Sequence, residues 1–232
     1  MKITFFISLL LISTQVMSQN DQKKNEWANL NKYAAENKEL KPAAKGENRI
    51  VLMGNSITEF WKYIDSDFFI KTKYINRGIS GQTTSQMIVR FQQDVISLKP
   101  SVVVILAGIN DIAENTGPIT LENIFKNIIS MATAAKQNKI KVVLSSVLPA
   151  YDFPWRPGLQ PANKIIRLNA MIEAYCKANK IVYIDYYSSM VDERKGLDKK
   201  YSADGVHPTI AGYKIMEPLI EKAIKKALSL KH

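Results

Sequence analysis

The chain reads as an α/β protein, a parallel sheet with helices on both faces. Three observations predict this. Short apolar runs alternate with longer segments of helical periodicity along the whole length. The runs at 101–106 and 141–148 are almost continuous Val, Ile and Leu, as in strands covered on both sides. The segments richest in Ser, Gly, Asn and Asp fall directly after such runs, where a parallel sheet carries its site outside the carboxyl ends of the strands.

The first element stands outside the fold. Lys2 places a positive charge ahead of an apolar stretch from Ile3 to Ile12, and Val16-Met17-Ser18 precedes Gln19. This is the layout of a secretory signal peptide over residues 1–18. The stretch is shorter than the ~20 residues a membrane span needs. The mature chain is therefore expected to be exported, periplasmic or secreted, with no membrane span once the leader is removed. Residues 19–48 form an N-terminal helix and lead-in. Trp27, Leu30, Tyr33, Ala34 and Leu40 recur at helical spacing and predict a surface helix over 25–41, ended by Pro42. Trp27 and Tyr33 are read as packing residues, with bracing of a site rim as the other role open to them.

The main domain is expected over 49–232. Arg49–Met53 is a buried strand that ends in Gly54, and Lys73–Asn76 a second strand. Thr83–Leu98 carries Met87, Ile88, Phe91, Val95 and Ile96 at helical spacing. Strand Ser101–Leu106, helix 120–138, strand Lys141–Leu148, helix 162–179 and strand Ile181–Tyr186 follow. A stretch rich in Pro and aromatic residues, Pro149–Pro161, interrupts this alternation. The last helix is expected from Thr209 to Leu230, bent or interrupted at Pro218.

Composition sets bounds. Of 232 residues, 46% are apolar and 23% charged, the balance of a globular protein. The net charge of +11 is spread over scattered lysines and the solvated face of the last helix. No nucleic-acid-binding motif accompanies it, so nucleic acid is not an expected partner. Cys176 is the single cysteine and cannot form an intramolecular disulfide. No histidine is near it in sequence, and it reads as a buried, inert thiol.

The chemistry starts from the histidines. There are two, His207 and the terminal His232, so a histidine base must be His207. In Asp204-Gly205-Val206-His207 the spacing lets Asp204 accept a hydrogen bond from one ring nitrogen, leaving the other to take a proton. A helix-start turn with a surface histidine fits this segment equally well. Gly54-Asn55-Ser56 follows the first strand and puts a hydroxyl at the start of the next helix, where the dipole favours negative charge. A plain helix cap has the same look, and the segment is not a Gly-x-Ser-x-Gly elbow. Asn76-Arg77-Gly78-Ile79-Ser80-Gly81 follows the second strand and can turn a glycine N–H toward a ligand. Ala107-Gly108-Ile109-Asn110 follows the third strand and presents an amide at the sheet edge. An N–H and an amide are suitable donors to an oxyanion.

These segments together resemble the GDSL/SGNH hydrolases, whose four sequence blocks carry in order a serine, a glycine, an asparagine and a histidine. The likeness runs from about Arg49 to the end of the last helix. It implies a three-layer α/β/α sandwich with a flavodoxin-like parallel sheet of about five strands. It implies Ser56 as nucleophile, His207 as general base and then acid, and Asp204 as the group that orients the imidazole. The implied oxyanion hole is the backbone N–H of Ser56 and of Gly78 with the Asn110 side chain. No metal or organic cofactor is implied. One departure is Asn55, where the first block usually reads Gly-Asp-Ser.

Short intervals between the blocks leave little sequence for a lid, which suits a small acyl group. The stretch from Tyr151 to Arg156 should overhang the site. Tyr151 and Trp155 could stack on a sugar ring, and Arg156 could bind a hydroxyl or an anion. Packing of Phe153 and Trp155 within the loop is an equal alternative. The expected substrate is an O-acetylated carbohydrate or another small ester. The alternatives are a lipid acylhydrolase of the lysophospholipase or platelet-activating-factor-acetylhydrolase kind, and a non-catalytic glycan-binding protein on the same fold.

Overall fold

A computed structural model describes residues 25–44 and 46–230. The signal peptide expected over 1–18 lies outside the described residues. Five strands form one parallel sheet in the order β2-β1-β3-β4-β5, with β1 Ile50–Gly54, β2 Ile75–Gly78, β3 Val102–Leu106, β4 Lys141–Ser145 and β5 Val182–Ile184. Every residue of β1 and β3 is buried, because helices cover both faces of the sheet centre. Gly54 pairs with Gly78 on one side and Leu106 on the other, so three strands end level and deliver their exit loops to one edge.

The helices are α1 Ala34–Glu39, α2 Ser56–Ile64, α3 Ser66–Thr72, α4 Thr84–Asp94, α5 Ile109–Ile112, α6 Leu121–Gln137, α7 Ala162–Ala178, α8 Tyr187–Met190 and α9 Ile210–Ser229. Helices α4, α6 and α7 pack side by side as one layer. On the other, α2 meets α9 through Trp61 and Tyr213, stacked with ring centroids 5.1 Å apart, and the Tyr213 hydroxyl donates to the Ile57 carbonyl at 2.8 Å. The result is the three-layer α/β/α sandwich of the SGNH hydrolase fold.

Several elements depart from the sequence expectation. The helix expected over 25–41 is broken: residues 25–28 are helical, Asn29 takes a left-handed φ of 51°, and α1 begins only at Ala34. The helix expected over 83–98 stops at Asp94, and a 3-10 turn covers Ile96–Leu98. Pro218 does not interrupt α9. Tyr213 and Met216 before it, and Ile220, Ala223 and Ile224 after it, are all buried, and this packing outweighs one lost backbone hydrogen bond.

Candidate active site

The sharp exit from β1 is built by close approach. A Cβ on Gly54 would lie 2.0 Å from the Thr58 hydroxyl oxygen, so only glycine fits there. Asn55 then caps α2, its Oδ1 accepting the Ile57 N–H at 3.0 Å. The amide in place of the usual acid therefore keeps the capping acceptor. Its Nδ2 is buried without a hydrogen-bond partner. Ser56 is the first residue of α2, and its Oγ lies 2.9 Å from His207 Nε2.

His207 sits in the loop before α9. Asp204 Oδ2 lies 2.6 Å from His207 Nδ1, while Asp204 Oδ1 accepts the N–H groups of Val206 and His207 at 2.9 and 2.8 Å. Burial works against the charge on Asp204, but the hydrogen bonds from the His207 ring and from these two N–H groups outweigh it. Its carboxyl is held below the usual carboxylate range. An ionised Asp204 accepts a hydrogen bond from the Nδ1–H, which leaves Nε2 as an acceptor facing the Ser56 hydroxyl. The Phe60 ring lies 5.4 Å from the imidazole and the Trp155 ring 6.1 Å, so two aromatics flank it.

The set of expected oxyanion donors needs one correction. The Gly78 N–H donates to Asn76 Oδ1 at 2.9 Å and is not available to a ligand. Gly78 is glycine for a packing reason: a Cβ there would lie 2.2 Å from the Glu59 nitrogen of α2. The free donor is three residues on. Gly81 has φ 75°, and its N–H has no acceptor among the described residues. The Gly81 carbonyl accepts Asn115 Nδ2 at 3.1 Å, and the next carbonyl, of Gln82, accepts Asn110 Nδ2 at 3.0 Å. Asn110, 3% exposed in α5 just after β3, thus lies against the Gly81 loop with a second amide hydrogen to spare. The Ser56 N–H also lacks an acceptor among the described residues. Behind this loop Asp111 accepts the N–H and hydroxyl of Thr84, fixing the start of α4.

The aromatic stretch after β4 divides. Phe153 is fully buried and packs the loop. Trp155 is 42% exposed, and its indole N–H donates to Asn115 Oδ1 at 3.2 Å, so Asn115 links Trp155 to the Gly81 loop. Tyr151 is exposed, with the Arg194 guanidinium 5.0 Å over its ring. Arg156, expected to bind a hydroxyl or an anion, is engaged within the protein. It donates to the carbonyls of Ala113 and Glu114 at 3.2 and 2.7 Å and pairs with the Glu114 carboxylate, which ties two loops together.

Further residues support the site from behind: Tyr33, for which bracing of a site rim was one expected role, and Lys32, Glu59 and Arg90, which the sequence did not single out. Glu59 on α2 accepts the Ser80 N–H and hydroxyl and pairs with Lys32. The Tyr33 hydroxyl donates to the Gly78 carbonyl. Buried Arg90 donates to the Gly54 and Arg77 carbonyls and to Gln82 Oε1. Among the described residues no group of His, Cys, Asp and Glu could hold a metal ion, and no helix is long and apolar enough to cross a membrane.

A serine, a histidine and an aspartate are joined by hydrogen bonds at the carboxyl edge of a parallel sheet, the arrangement of a Ser-His-Asp triad on an α/β fold. Residues 52–215 match the family model of the GDSL-like lipase/acylhydrolase family, and the chain belongs to that family. It is similar to a GDSL-like lipase from Bacteroides thetaiotaomicron, with 56% identity, a TM-score of 0.85, and coverage of 87% of this chain and 99% of that one. It is also similar to an acetylxylan esterase, Axe2, from Geobacillus stearothermophilus. There the identity is 17%, the TM-score 0.62 and the coverage 83% and 98%, a likeness of fold alone. Uncharacterized lipoprotein YqeF of Bacillus subtilis is 32% identical over 81 residues, a match that spans 34% of this chain and 33% of YqeF.

Proposed function

We propose that the protein is an exported serine esterase that removes short acyl groups, above all O-acetyl, from carbohydrate. The observation that carries this reading is the chain Ser56 Oγ to His207 Nε2 at 2.9 Å and His207 Nδ1 to Asp204 Oδ2 at 2.6 Å. Ser56 attacks the ester carbonyl as its proton passes to Nε2. The N–H groups of Ser56 and Gly81 and the Asn110 amide hold the oxyanion. Nε2 then gives the proton to the alcohol oxygen as the carbon–oxygen bond breaks, leaving an acyl-serine. Water then attacks the acyl carbon as Nε2 takes its proton, and Nε2 returns that proton to Ser56 Oγ as the bond to the acyl carbon breaks and the acid leaves.

Carbohydrate as the alcohol part is supported by Trp155 and Phe60 beside the imidazole, and acetyl by the brevity of the loops around it. Export is supported by the charged-then-apolar N-terminus and by the lipoprotein name of YqeF. The test is turnover of p-nitrophenyl acetate, then of acyl chains of rising length, by the mature protein and by Ser56→Ala. Turnover that the substitution abolishes and that falls with chain length supports the reading. Equal activity of both proteins, or a preference for long chains, overturns it.

A further inference from the structure

Because Nε2 hands its proton to the departing alcohol, the alcohol half of an ester must lie against His207, and the acyl half on the oxyanion side of Ser56. Trp155 continues the surface away from His207, its ring 5.2 Å from that of Phe153. A cleft of about 280 Å³ is lined by Phe153 and Pro154 of the same loop with Tyr151, Arg194, Asp204 and Gly205. A second hollow of about 510 Å³ adjoins it and shares Tyr151, Asp152 and Arg194. Together they form a trough with Asp204, the partner of His207, in its wall at one part and Asn163, Glu193 and Lys195 at another.

We infer that this trough binds further sugar units of an acetylated glycan, an inference that rests on the esterase reading above. Tyr151 is 55% exposed and the Arg194 side chain 70%, so neither serves the core. The Arg194 guanidinium covers one face of the Tyr151 ring, and the exposed remainder of that ring, beside a guanidinium and carboxylates, suits a sugar, whose ring stacks while its hydroxyls take the polar groups. A lipid acyl chain requires instead an enclosed apolar channel, and it would enter from the acyl side, away from Asp204. Tyr151 and Arg194 therefore act on the length of glycan bound and have no part in the reacting atoms.

The test compares O-acetylated methyl xyloside with O-acetylated xylohexaose, using kcat/KM for each. Wild type should favour the hexamer. In Tyr151→Ala the hexamer-to-monomer ratio should fall about fivefold through KM, the size of one lost aromatic stacking contact. Arg194→Ala should lower the ratio too, and Tyr151→Phe should restore it. Equal rates on both sugars, or a loss in Tyr151→Ala that leaves the ratio unchanged, overturns the subsite. So does Ser56-dependent turnover of p-nitrophenyl acetate with none of either sugar, an outcome that spares the esterase mechanism. Failure on every ester, with thermal unfolding intact, instead counts against the reading on which the subsite rests.

Discussion

Glu59 lies one helical turn beyond Ser56 and receives both the N–H and the hydroxyl of Ser80 on a single carboxylate oxygen, each at 2.6 Å. One side chain thereby couples the helix of the serine to the loop that carries Gly81. Lys32, on the N-terminal segment, neutralises its other oxygen.

Glu59→Gln keeps the size of this bridge and removes its charge. Lost charge-assisted hydrogen bonds of this kind cost about 1–3 kcal/mol, which urea unfolding should register. Because the Gly81 loop loosens, kcat should fall more than KM rises. The pH dependence gives a second readout. Burial opposes the Glu59 charge, but the bonds from Lys32 and Ser80 prevail and hold its carboxyl below the usual range, as for Asp204. The unfolded chain then binds more protons as pH falls below about 5, so stability should decline through this window and on past the folded values. Thermal midpoints between pH 7 and pH 3 should fall less steeply in Glu59→Gln than in wild type.

The oxyanion donors separate cleanly by substitution. Asn110→Ala should lower turnover by about two to three decades while the protein stays folded. Gly81→Ala has room, the nearest atom to its Cβ being Asn115 Nδ2 at 4.0 Å, but φ 75° is unfavourable for alanine. It should cost about 1 kcal/mol of stability and displace the N–H, with kcat reduced at nearly constant KM. Steady-state kinetics beside circular dichroism checks both.

Asp204→Asn replaces the acceptor for the Nδ1 proton by a group that can donate, which turns the imidazole to the wrong tautomer. Loss of about four decades in kcat is expected from this geometry. A loss of only a few-fold in the pH 7 rate would remove Asp204 from the proton relay.

Cys176 lies buried on α7, and burial pushes its thiol up to about 12. Thiol reagents should leave the folded enzyme's activity intact and label Cys176 only after denaturation. Rapid labelling of the native protein would contradict the packing around α7.

Much of this was legible in the sequence. Continuous Val and Ile runs gave β1, β3 and β4 because strands buried on both faces admit little else. Ser56, Asn110, Asp204 and His207 were expected from the resemblance of their ordered blocks to one family, each segment alone being equally a helix cap or turn, and the structure brings Ser56, His207 and Asp204 into one hydrogen-bonded chain. The choice between Gly78 and Gly81 was not legible. Both glycines stand in one short loop, and only the return of the Asn76 side chain shows that the Gly78 N–H is spent. Contacts distant in sequence stayed hidden for the same reason: no local pattern joins Lys32 to Glu59 or Arg90 to the Gly54 carbonyl. The break at Asn29 was also invisible, since the apolar spacing over 25–41 continues through it.

The most direct test of the account is covalent. Brief exposure to p-nitrophenyl acetate, acid quenching and peptide mapping by mass spectrometry should find one acetyl group, on Ser56. The adduct should be absent from Ser56→Ala and form far more slowly in His207→Ala. Ester turnover with no acyl group on Ser56, or an adduct on another residue that survives Ser56→Ala, would contradict the central claim.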